Sequence, residues 1–361
     1  MPDVSADTTP AAAPAGTNSL AAYTTLRLGG PAGRLVTADT EDDLVQTVRH
    51  APGPVLLLAG GSNVVVGDRG VPGTVVLVRT RGLRFTDHPG GDATLRVAAG
   101  EPWDEVVAAT VARGYAGLEC LSGIPGSTGA TPIQNVGAYG QEVAETITAV
   151  RAYDRVAEET VTLAPAQCAF AYRTSVFKHS DRWIVLSVDF RLTRSALSAP
   201  VRYAELARAL AVGVGDRVPL ARARAAVLAL RAGKAMVLDD ADPDTYSAGS
   251  FFTNPILDVA AYAALRDRAT ALGLAEPPSW PGTDGLVKVS AAWLIERAGF
   301  HRGYTRGGGV AISTRHTLAL TNRGNGTTAA LLELARDIRA GVHAQFGVTL
   351  HPEPVLLGCT L

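Results

Sequence analysis

The sequence has few of the side chains that bind metals or form disulfides. Its 361 residues include only three cysteines, Cys120, Cys168 and Cys359, which form neither a CxxC pair nor an even set. Reduced thiols of this kind are typical of a cytoplasmic protein. The seven histidines are scattered, and none is spaced as HxxxH or lies near a cysteine, so the sequence predicts no metal site.

Long apolar runs and an excess of charge are also missing. No stretch approaches the roughly 20 apolar residues that span a bilayer, and a net charge of −1 provides no basic surface for nucleic acid or membrane. Residues 1–20 are rich in Ala, Pro and Thr but have no basic start and no apolar core. We therefore expect a disordered tail there, not a signal peptide. With 47% hydrophobic residues, the chain is long enough for two or three packed domains.

Lysine is nearly absent. Of 33 basic residues only Lys178, Lys234 and Lys288 are lysines, which leaves 30 arginines. A lysine retained in such a chain indicates a need for a compact ammonium group, provided that a motif surrounds it. Chance retention is the alternative for each of the three taken alone.

Two common nucleotide-binding motifs are missing as well. The chain contains no GxxxxGK[ST], and no strand leads through GxGxxG into a helix. Instead, the apolar segment 55–59 runs into a turn of Gly60, Gly61, Ser62 and Asn63, and the chain continues as the short apolar strand VVV. A dinucleotide, if bound, must therefore be held by a fold other than the Rossmann fold.

Hydrophobic periodicity predicts mixed α and β structure with a domain change near residue 200. Thr40, with Asp43 three residues later, predicts a capping box at the start of a helix over 41–49. Segments between residues 147 and 190 alternate as strands do, and the acidic stretch 235–249 is expected at the surface. Further helices are predicted at 103–113, 219–232, 258–272, around 293–295 and at 327–345.

A glycine-rich run, GLECLSGIPGSTGATPIQNVGAYG at 117–140, is the most informative segment. Its glycines allow positive φ angles and a close approach of main-chain N–H groups to a ligand. A flexible surface loop is the alternative, but such loops are rich in charge, whereas this run has no charged residue after Glu119. The pattern favours a cofactor cradle, and we use this name for residues 117–140.

Three polar residues are not explained by an apolar core. Arg173 lies in FAYRTSVFK, whose aromatic flanks predict a strand, so it meets an anion or forms a structural ion pair. Ser250 lies on a turn in SAGSFFTNP, where it donates a proton or caps the turn; no GxSxG surrounds it, so a hydrolase triad is unsupported. Glu353 lies between Pro352 and Pro354 in the predicted final strand. There it either prevents pairing of a sheet edge with another chain or faces a cleft.

Six segments, in this order and spacing, resemble one family: LLLAGGSNVVV, GLECLSGIPGSTGATPIQNVGAYG, FAYRTSVFK, AGSFFTNP, GLVKVSAAWLIERAG and LHPEPVLLG. They are similar to the UDP-N-acetylenolpyruvoylglucosamine reductases from about residue 22 to the C terminus. The resemblance implies an α+β protein with an FAD-binding fold of the vanillyl-alcohol-oxidase (PCMH) type in two subdomains, 21–80 and 81–215. A C-terminal α+β substrate domain, 216–361, is expected to follow, and its last strand returns Glu353 to the cleft.

The resemblance also implies roles for individual residues. The catalytic residues would be Arg173, Ser250 and Glu353. Substrate would be bound by Tyr172 and, at its diphosphate, by Tyr203, Lys234 and Asn254, with the Tyr203 loop closing over it. FAD would contact the turn and the cradle, at Gly60, Gly61, Ser62, Asn63, Gly123, Ile124, Pro125, Gly129, Ala130, Gly137, Ala138 and Tyr139. The turn has neither histidine nor cysteine and the cradle has only Cys120, so we expect FAD to be non-covalent.

The implied activity is NADPH-dependent, FAD-mediated reduction of UDP-N-acetylglucosamine enolpyruvate to UDP-N-acetylmuramate in peptidoglycan precursor synthesis. Arg173 would hold the substrate carboxylate, and Glu353 would hydrogen-bond to the developing enolic group. Ser250 would deliver a proton, and Lys234 is a candidate to support the Ser250 alkoxide. Two alternatives stay open: another FAD oxidase of the same fold acting on sugar alcohols, and a non-catalytic flavin or sugar-nucleotide binder. NADPH over NADH rests on resemblance alone, and the sequence does not indicate an oligomeric state.

Overall fold

The computed structural model describes residues 18–361, which form a mixed chain of short strands and helices. The helices are α1 (Glu41–His50), α2 (Trp103–Ala112), α3 (Pro165–Cys168), α4 (Ala204–Leu210), α5 (Leu220–Gly233), α6 (Val259–Ala271), α7 (Ala291–Arg297) and α8 (Thr328–Phe346). Most of the predicted tail lies outside the described residues, but Leu20 at its end begins a short 3-10 helix and is buried.

The strands are short. They are β1 (Ala32–Ala38), β2 (Val55–Leu58), β3 (Val64–Val66), β4 (Val71–Val78), β5 (Leu83–Asp87), β6 (Asp92–Ala98), β7 (Tyr115–Ala116), β8 (Gly137–Ala138), β9 (Gln141–Glu142), β10 (Ile147–Asp154), β11 (Glu159–Leu163), β12 (Trp183–Arg194), β13 (Ile256–Leu257), β14 (Ser279–Pro281), β15 (Val287–Val289), β16 (Val310–Ile312), β17 (Leu320–Asn322) and β18 (Val355–Leu357).

The helix signals in the sequence are confirmed. At α1 the backbone N–H of Asp43 donates to Thr40 Oγ1 (3.0 Å), and the N–H of Thr40 donates to the Asp43 carboxylate (3.2 Å), which completes the capping box. Helix α8 has an apolar stripe along one face, formed by Leu331, Leu334, Ile338 and Val342, and all four residues are buried. The helix is closed by Gly347, whose φ of 71° is the left-handed conformation that glycine adopts without strain. Periodicity therefore located these helices within one or two residues.

Two sheets form the first half of the chain. In one, β1, β4 and β2 are parallel in that order; in the other, β11, β10, β12, β6 and β5 are antiparallel, with β7 added beside β12. Leu44 and Val48 of α1 share one buried cluster with Val76 of β4 and with Tyr153 and Ile184 of the antiparallel sheet. Helix α1 thus joins the two sheets through a common apolar core.

The second half of the chain packs around α8. Its buried stripe contacts a core that includes Phe251 and Phe252, the two aromatics that follow Ser250. The acidic stretch 235–249, expected at the surface, is exposed at 238–241 but buried from Asp244 onward. The Asp244 carboxylate is satisfied there by Arg323 (2.6 Å) and by the N–H of Thr314 (3.0 Å), which explains why an acidic segment enters the core.

The C-terminal strand returns to the first half of the chain. Strand β18 is parallel to β3, and the N–H of Val355 donates to the carbonyl of Asn63 at 3.0 Å. The expectation that Glu353 lies within the final strand is wrong: the strand begins at Val355, and Glu353 occupies a bend before it. Pro354 has no N–H to donate to a strand ladder, which is consistent with the strand beginning after it.

Removal of a buried side chain on α8 tests this packing. Ile338→Ala, at a site with no solvent exposure, should lower the free energy of unfolding by about 2–5 kcal/mol because it leaves a cavity in the core. Glu333→Ala, on the exposed face of the same helix, should change it by less than about 0.5 kcal/mol. Urea denaturation followed by circular dichroism measures both; equal losses would contradict the assigned core.

Candidate active site

The segment that contains Arg173 is a turn, which corrects the predicted strand. Ala171 and Thr174 exchange backbone hydrogen bonds of 3.1 and 3.3 Å, and Arg173 between them has a φ of 54°. The turn is fastened to the cradle, because Ser175 Oγ donates to the carbonyl of Ile133 (2.7 Å) and Asn135 Nδ2 donates to that of Ala171 (3.2 Å). These bonds take the place of a strand ladder and fix Arg173 beside the cradle.

The turn formed by Gly60, Gly61, Ser62 and Asn63 also faces the cradle. Ser62 Oγ donates to the carbonyl of Pro125 (2.9 Å) and Asn63 Nδ2 to Gln134 Oε1 (2.9 Å), so both side chains hold the turn in place. Within residues 18–361, none of the four backbone N–H groups of this turn donates to a main-chain carbonyl. Successive free N–H groups in a tight turn form a concavity suited to an anion such as a diphosphate.

Glycines in both segments are required by chain packing. A Cβ on Gly60 would lie 2.5 Å from Gly126 Cα, and one on Gly129 would lie 2.5 Å from Ala99 Cβ. Two backbones therefore touch directly where the turn meets the cradle. Chain packing therefore explains both glycines without a ligand: Gly60 packs against Gly126, and Gly129 packs against Ala99. The sequence pattern alone predicts the approach of a ligand instead.

Turn, cradle and the second half of the chain enclose a cavity of about 440 Å³, a size typical of a cofactor site. The predicted catalytic residues Arg173, Ser250 and Glu353 all line it. Of the predicted FAD contacts, the lining includes Gly60, Gly61, Ser62, Asn63, Ile124, Pro125, Gly129, Ala130, Gly137 and Ala138. Outside the lining lie Gly123, Tyr139, Tyr172, Tyr203, Lys234 and Asn254.

Arg173 and Glu353 form a partly buried ion pair at the cavity wall. Arg173 Nε lies 3.3 Å from Glu353 Oε1, and its terminal nitrogens donate to the carbonyls of Gly137 (2.8 Å) and Asn135 (3.4 Å). Burial raises the pKa of Glu353 above its ordinary value, although Arg173 and Lys178 act in the opposite direction. The site therefore favours the protonated form of this carboxyl more than water does.

Ser250 and Glu353 are brought together by backbone pairing. The N–H of Glu353 donates to the carbonyl of Phe251 (2.9 Å), and Phe252 forms a bridge with Pro352. The phenyl rings of Phe251 and Phe252 are buried in the core. Their burial anchors the segment and leaves Ser250, the preceding residue, at the cavity.

A second group of predicted residues lies beside the cavity. Lys234 follows α5, and its ammonium lies 2.6 Å from Glu205 Oε2 and 5.9 Å from the centre of the Tyr139 ring. Tyr203 packs edge-on against the same ring, with centroids 5.6 Å apart. Burial and the cations Lys234 and Arg231 lower the pKa of His316 to about 4. His316 is consequently neutral near pH 7 and adds no positive charge beside Lys234 and Arg231.

The remaining predicted substrate contacts, Tyr172 and Asn254, also lie outside the cavity lining. Asn254 Oδ1 accepts a hydrogen bond from the N–H of Ala291 (2.9 Å), so this oxygen already has a partner within the protein. The Tyr172 ring lies 5.0 Å from the Lys288 ammonium, which also lies 5.8 Å from the Trp280 ring. The Lys288 ammonium is thus close to two aromatic rings that are 38% and 46% exposed.

Sequence reasoning missed three residues here. Lys178 lines the cavity and donates to the carbonyl of Arg173 (2.9 Å), and Lys288 contacts Tyr172. The scarcity of lysine had marked both positions without assigning a role. Arg231 also lines the cavity; it is 6% exposed, and its Nε has no hydrogen-bond partner among the described residues. Among 30 arginines, the sequence held no signal for it.

The three thiols lie outside the lining of this cavity. Cys120 is buried, lies outside the lining, and burial raises the pKa of its thiol to about 12. Among residues 18–361, no cluster of three or more His, Cys, Asp or Glu side chains could hold a metal ion. None of the helices in that part of the chain has the length and apolar character needed to cross a bilayer.

The two sheets and the cavity define an FAD-binding protein of the PCMH type. Residues 32–163 match the family model described as FAD binding domain, and residues 242–357 match UDP-N-acetylenolpyruvoylglucosamine reductase, C-terminal domain. The chain is 68% identical over 347 residues to a UDP-N-acetylenolpyruvoylglucosamine reductase of Salinispora arenicola, covering 95% of each chain. It is 57% identical over 347 residues to that of Thermobifida fusca, covering 95% of this chain and 97% of the relative.

A solved structure agrees with these relatives. The reductase (MurB) of Thermus caldophilus superposes with a TM-score of 0.65 at 26% identity, covering 94% of this chain and 97% of that one. The chain belongs to the UDP-N-acetylenolpyruvoylglucosamine reductase family, and it is an oxidoreductase.

The contact between turn and cradle can be tested by adding one methyl group to Gly60. Gly60→Ala should destabilise the protein by about 1–3 kcal/mol, because the new Cβ has no room against the backbone of Gly126. The purified variant should also contain less FAD. Gly233→Ala, where a Cβ meets no atom within 4 Å, is the matched control and should retain both stability and flavin. Thermal unfolding and the flavin-to-protein absorbance ratio measure these effects.

The raised pKa of Glu353 predicts a pH trend in stability. Its protonation stabilises the fold at low pH, and this contribution is lost as pH rises through the raised pKa. Glu353→Gln has no such ionisation, so its unfolding free energy relative to wild type should increase between about pH 4 and about pH 8. Thermal unfolding at both pH values measures the trend. Ser250→Ala, which alters the same cavity without a titrating group, should show none.

Proposed function

We propose that this chain catalyses the NADPH-dependent, FAD-mediated reduction of UDP-N-acetylglucosamine enolpyruvate to UDP-N-acetylmuramate in peptidoglycan precursor synthesis. One observation carries the proposal beyond family membership. Arg173, Ser250 and Glu353 come from segments far apart in sequence, yet all three line the cavity that the turn and the cradle enclose. An anion-binding cation, a hydroxyl donor and a carboxyl group thus share one site.

The cavity fits FAD. The free N–H groups at 60–63 suit its diphosphate, and the Arg231 Nε needs a hydrogen-bond acceptor that residues 18–361 do not provide. Bound there, FAD would supply a hydride carrier between NADPH and the substrate. Non-covalent binding is supported by Cys120, whose buried thiol is neither at the cavity nor ionised at neutral pH.

Arg173 would hold the carboxylate of the enolpyruvyl group. Its guanidinium is oriented by the carbonyls of Asn135 and Gly137, and Glu353 neutralises it only in part, at 3.3 Å from Nε. A planar guanidinium fixed in this way can accept a second carboxylate in a defined geometry. It would stabilise negative charge that builds next to that carboxylate during reduction.

Glu353 would hydrogen-bond to the developing enolic group. Burial raises its pKa, so the site favours the protonated form of this carboxyl group, which can donate a hydrogen bond, more than water does. Lys178 places a second cation close to the Arg173–Glu353 pair. It also lines the cavity with Ser250, whereas Lys234, the sequence candidate for supporting the serine alkoxide, is paired with Glu205 outside the lining.

Ser250 would deliver the proton to the adjacent carbon. Ser250→Ala should leave reduction of the flavin by NADPH unchanged and slow its re-oxidation by the enolpyruvyl substrate by about 100-fold to 10,000-fold, the usual contribution of a positioned proton donor. Stopped-flow absorbance separates the two half-reactions. The control is Ser180→Ala, which removes another hydroxyl from the same cavity wall and should leave both rates unchanged. If Ser250→Ala also leaves the re-oxidation rate unchanged, Ser250 is not the proton donor.

The activity itself is tested with the purified, flavin-loaded protein under anaerobic conditions. NADPH should bleach the flavin absorbance, and UDP-N-acetylglucosamine enolpyruvate should restore it. Restoration by oxygen together with reduction by a sugar alcohol would instead identify an oxidase of the same fold. Substrate binding with no change in the flavin spectrum would identify a non-catalytic binder.

A further inference from the structure

Lys234 is already paired within the chain. Its ammonium lies 2.6 Å from the Glu205 carboxylate, and the two side chains are 31% and 30% exposed. Lys234 caps the C-terminal end of α5, and Glu205 lies in the first turn of α4. The pair therefore connects two neighbouring helices across the edge of the cavity.

The surroundings of this pair are strongly cationic. The charged groups that act most on the neighbouring His316 are Lys234, Arg231, Glu205 and Arg302. Three of these are cations, and Glu205 is the one carboxylate in that set. A diphosphate that binds to Lys234 would meet these cations, and Glu205 is the carboxylate already paired with the Lys234 ammonium.

Glu205 and Tyr203 belong to the same short segment. Tyr203 is the residue before α4 and packs edge-on against Tyr139, while the Lys234 ammonium lies on the same Tyr139 ring. The salt bridge and the ring contact thus hold the start of α4 against the cradle at one point. Moving the Lys234 ammonium away from Glu205 would therefore remove one of the contacts at the start of α4, while Leu206 and Ala207 stay packed in the core.

We propose that Glu205 is an internal competitor for the substrate diphosphate: its carboxylate occupies Lys234, and the diphosphate must displace it to bind. This inference rests on the proposed function and on the role that the family resemblance implies for Lys234, which is to bind the diphosphate of the substrate. It makes Glu205 a specificity-determining residue. Ligands with one negative charge or none gain little from displacing a carboxylate, whereas a diphosphate offers more charge than Glu205 does.

The test is the affinity of the flavin-loaded protein for UDP, measured by calorimetry. Glu205→Gln keeps the shape of the side chain and removes its charge, so UDP should bind about threefold to tenfold more tightly, the size expected for one partly exposed charge interaction. The gain should shrink at high salt. Uridine, which has no phosphate, should bind wild type and variant equally.

Two further variants isolate the pair. Glu145→Gln removes a carboxylate that binds Arg202, the residue before Tyr203, without touching Lys234, and should leave UDP affinity unchanged. In a Lys234→Gln background, Glu205→Gln should lose its effect, because the two residues would no longer interact.

The outcomes separate this inference from the proposed function. If wild type turns over the enolpyruvyl substrate while Glu205→Gln binds UDP equally or more weakly, Glu205 positions Lys234 and the competition is refuted. If the Glu205→Gln gain persists without Lys234, the effect is a general one of net charge, and the competition is again refuted. If wild type fails to re-oxidise with substrate, the proposed function itself fails.

Discussion

The site depends on the parallel pairing of β18 with β3. Asn63 accepts the Val355 N–H, and the bend before β18 then places Glu353 at the wall of a cavity built mainly by the first half of the chain. A single hydrogen bond of this kind stabilises by about 1 kcal/mol, so the pairing is secured by the apolar core on which the second half is packed. The position of one carboxyl group thus depends on the packing of the whole C-terminal region.

That carboxyl group lies where burial opposes its charge. Arg173 and Lys178 reduce the unfavourable desolvation of Glu353 without cancelling it, since its pKa stays raised. An apolar residue of similar volume could fill the same space with less penalty. The arrangement is therefore better explained by chemistry than by stability, as is common where ionisable groups meet in a cavity.

Local signals predicted local structure well. The Thr40 capping box and the helix predicted at 327–345 each depend on residues a few positions apart, and the structure contains both. Arg173 was misplaced in a strand because its turn is fixed by bonds to Ile133 and Asn135, some 40 residues earlier. Arg231 could not be found at all, since its burial and its free Nε exist only after folding. The candidate catalytic residues came from resemblance, and their meeting in one cavity required the structure.

The return of β18 has a consequence for synthesis of the protein. Asn63 and Glu353 are separated by 290 residues, so nearly the whole chain must leave the ribosome before the cavity wall is complete. A partial chain that has folded its first sheets already contains the turn and the whole cradle but lacks both Ser250 and Glu353. A chain terminated after these sheets would therefore retain residues 32–163, which match the FAD binding domain model, while lacking two of the three proposed catalytic residues.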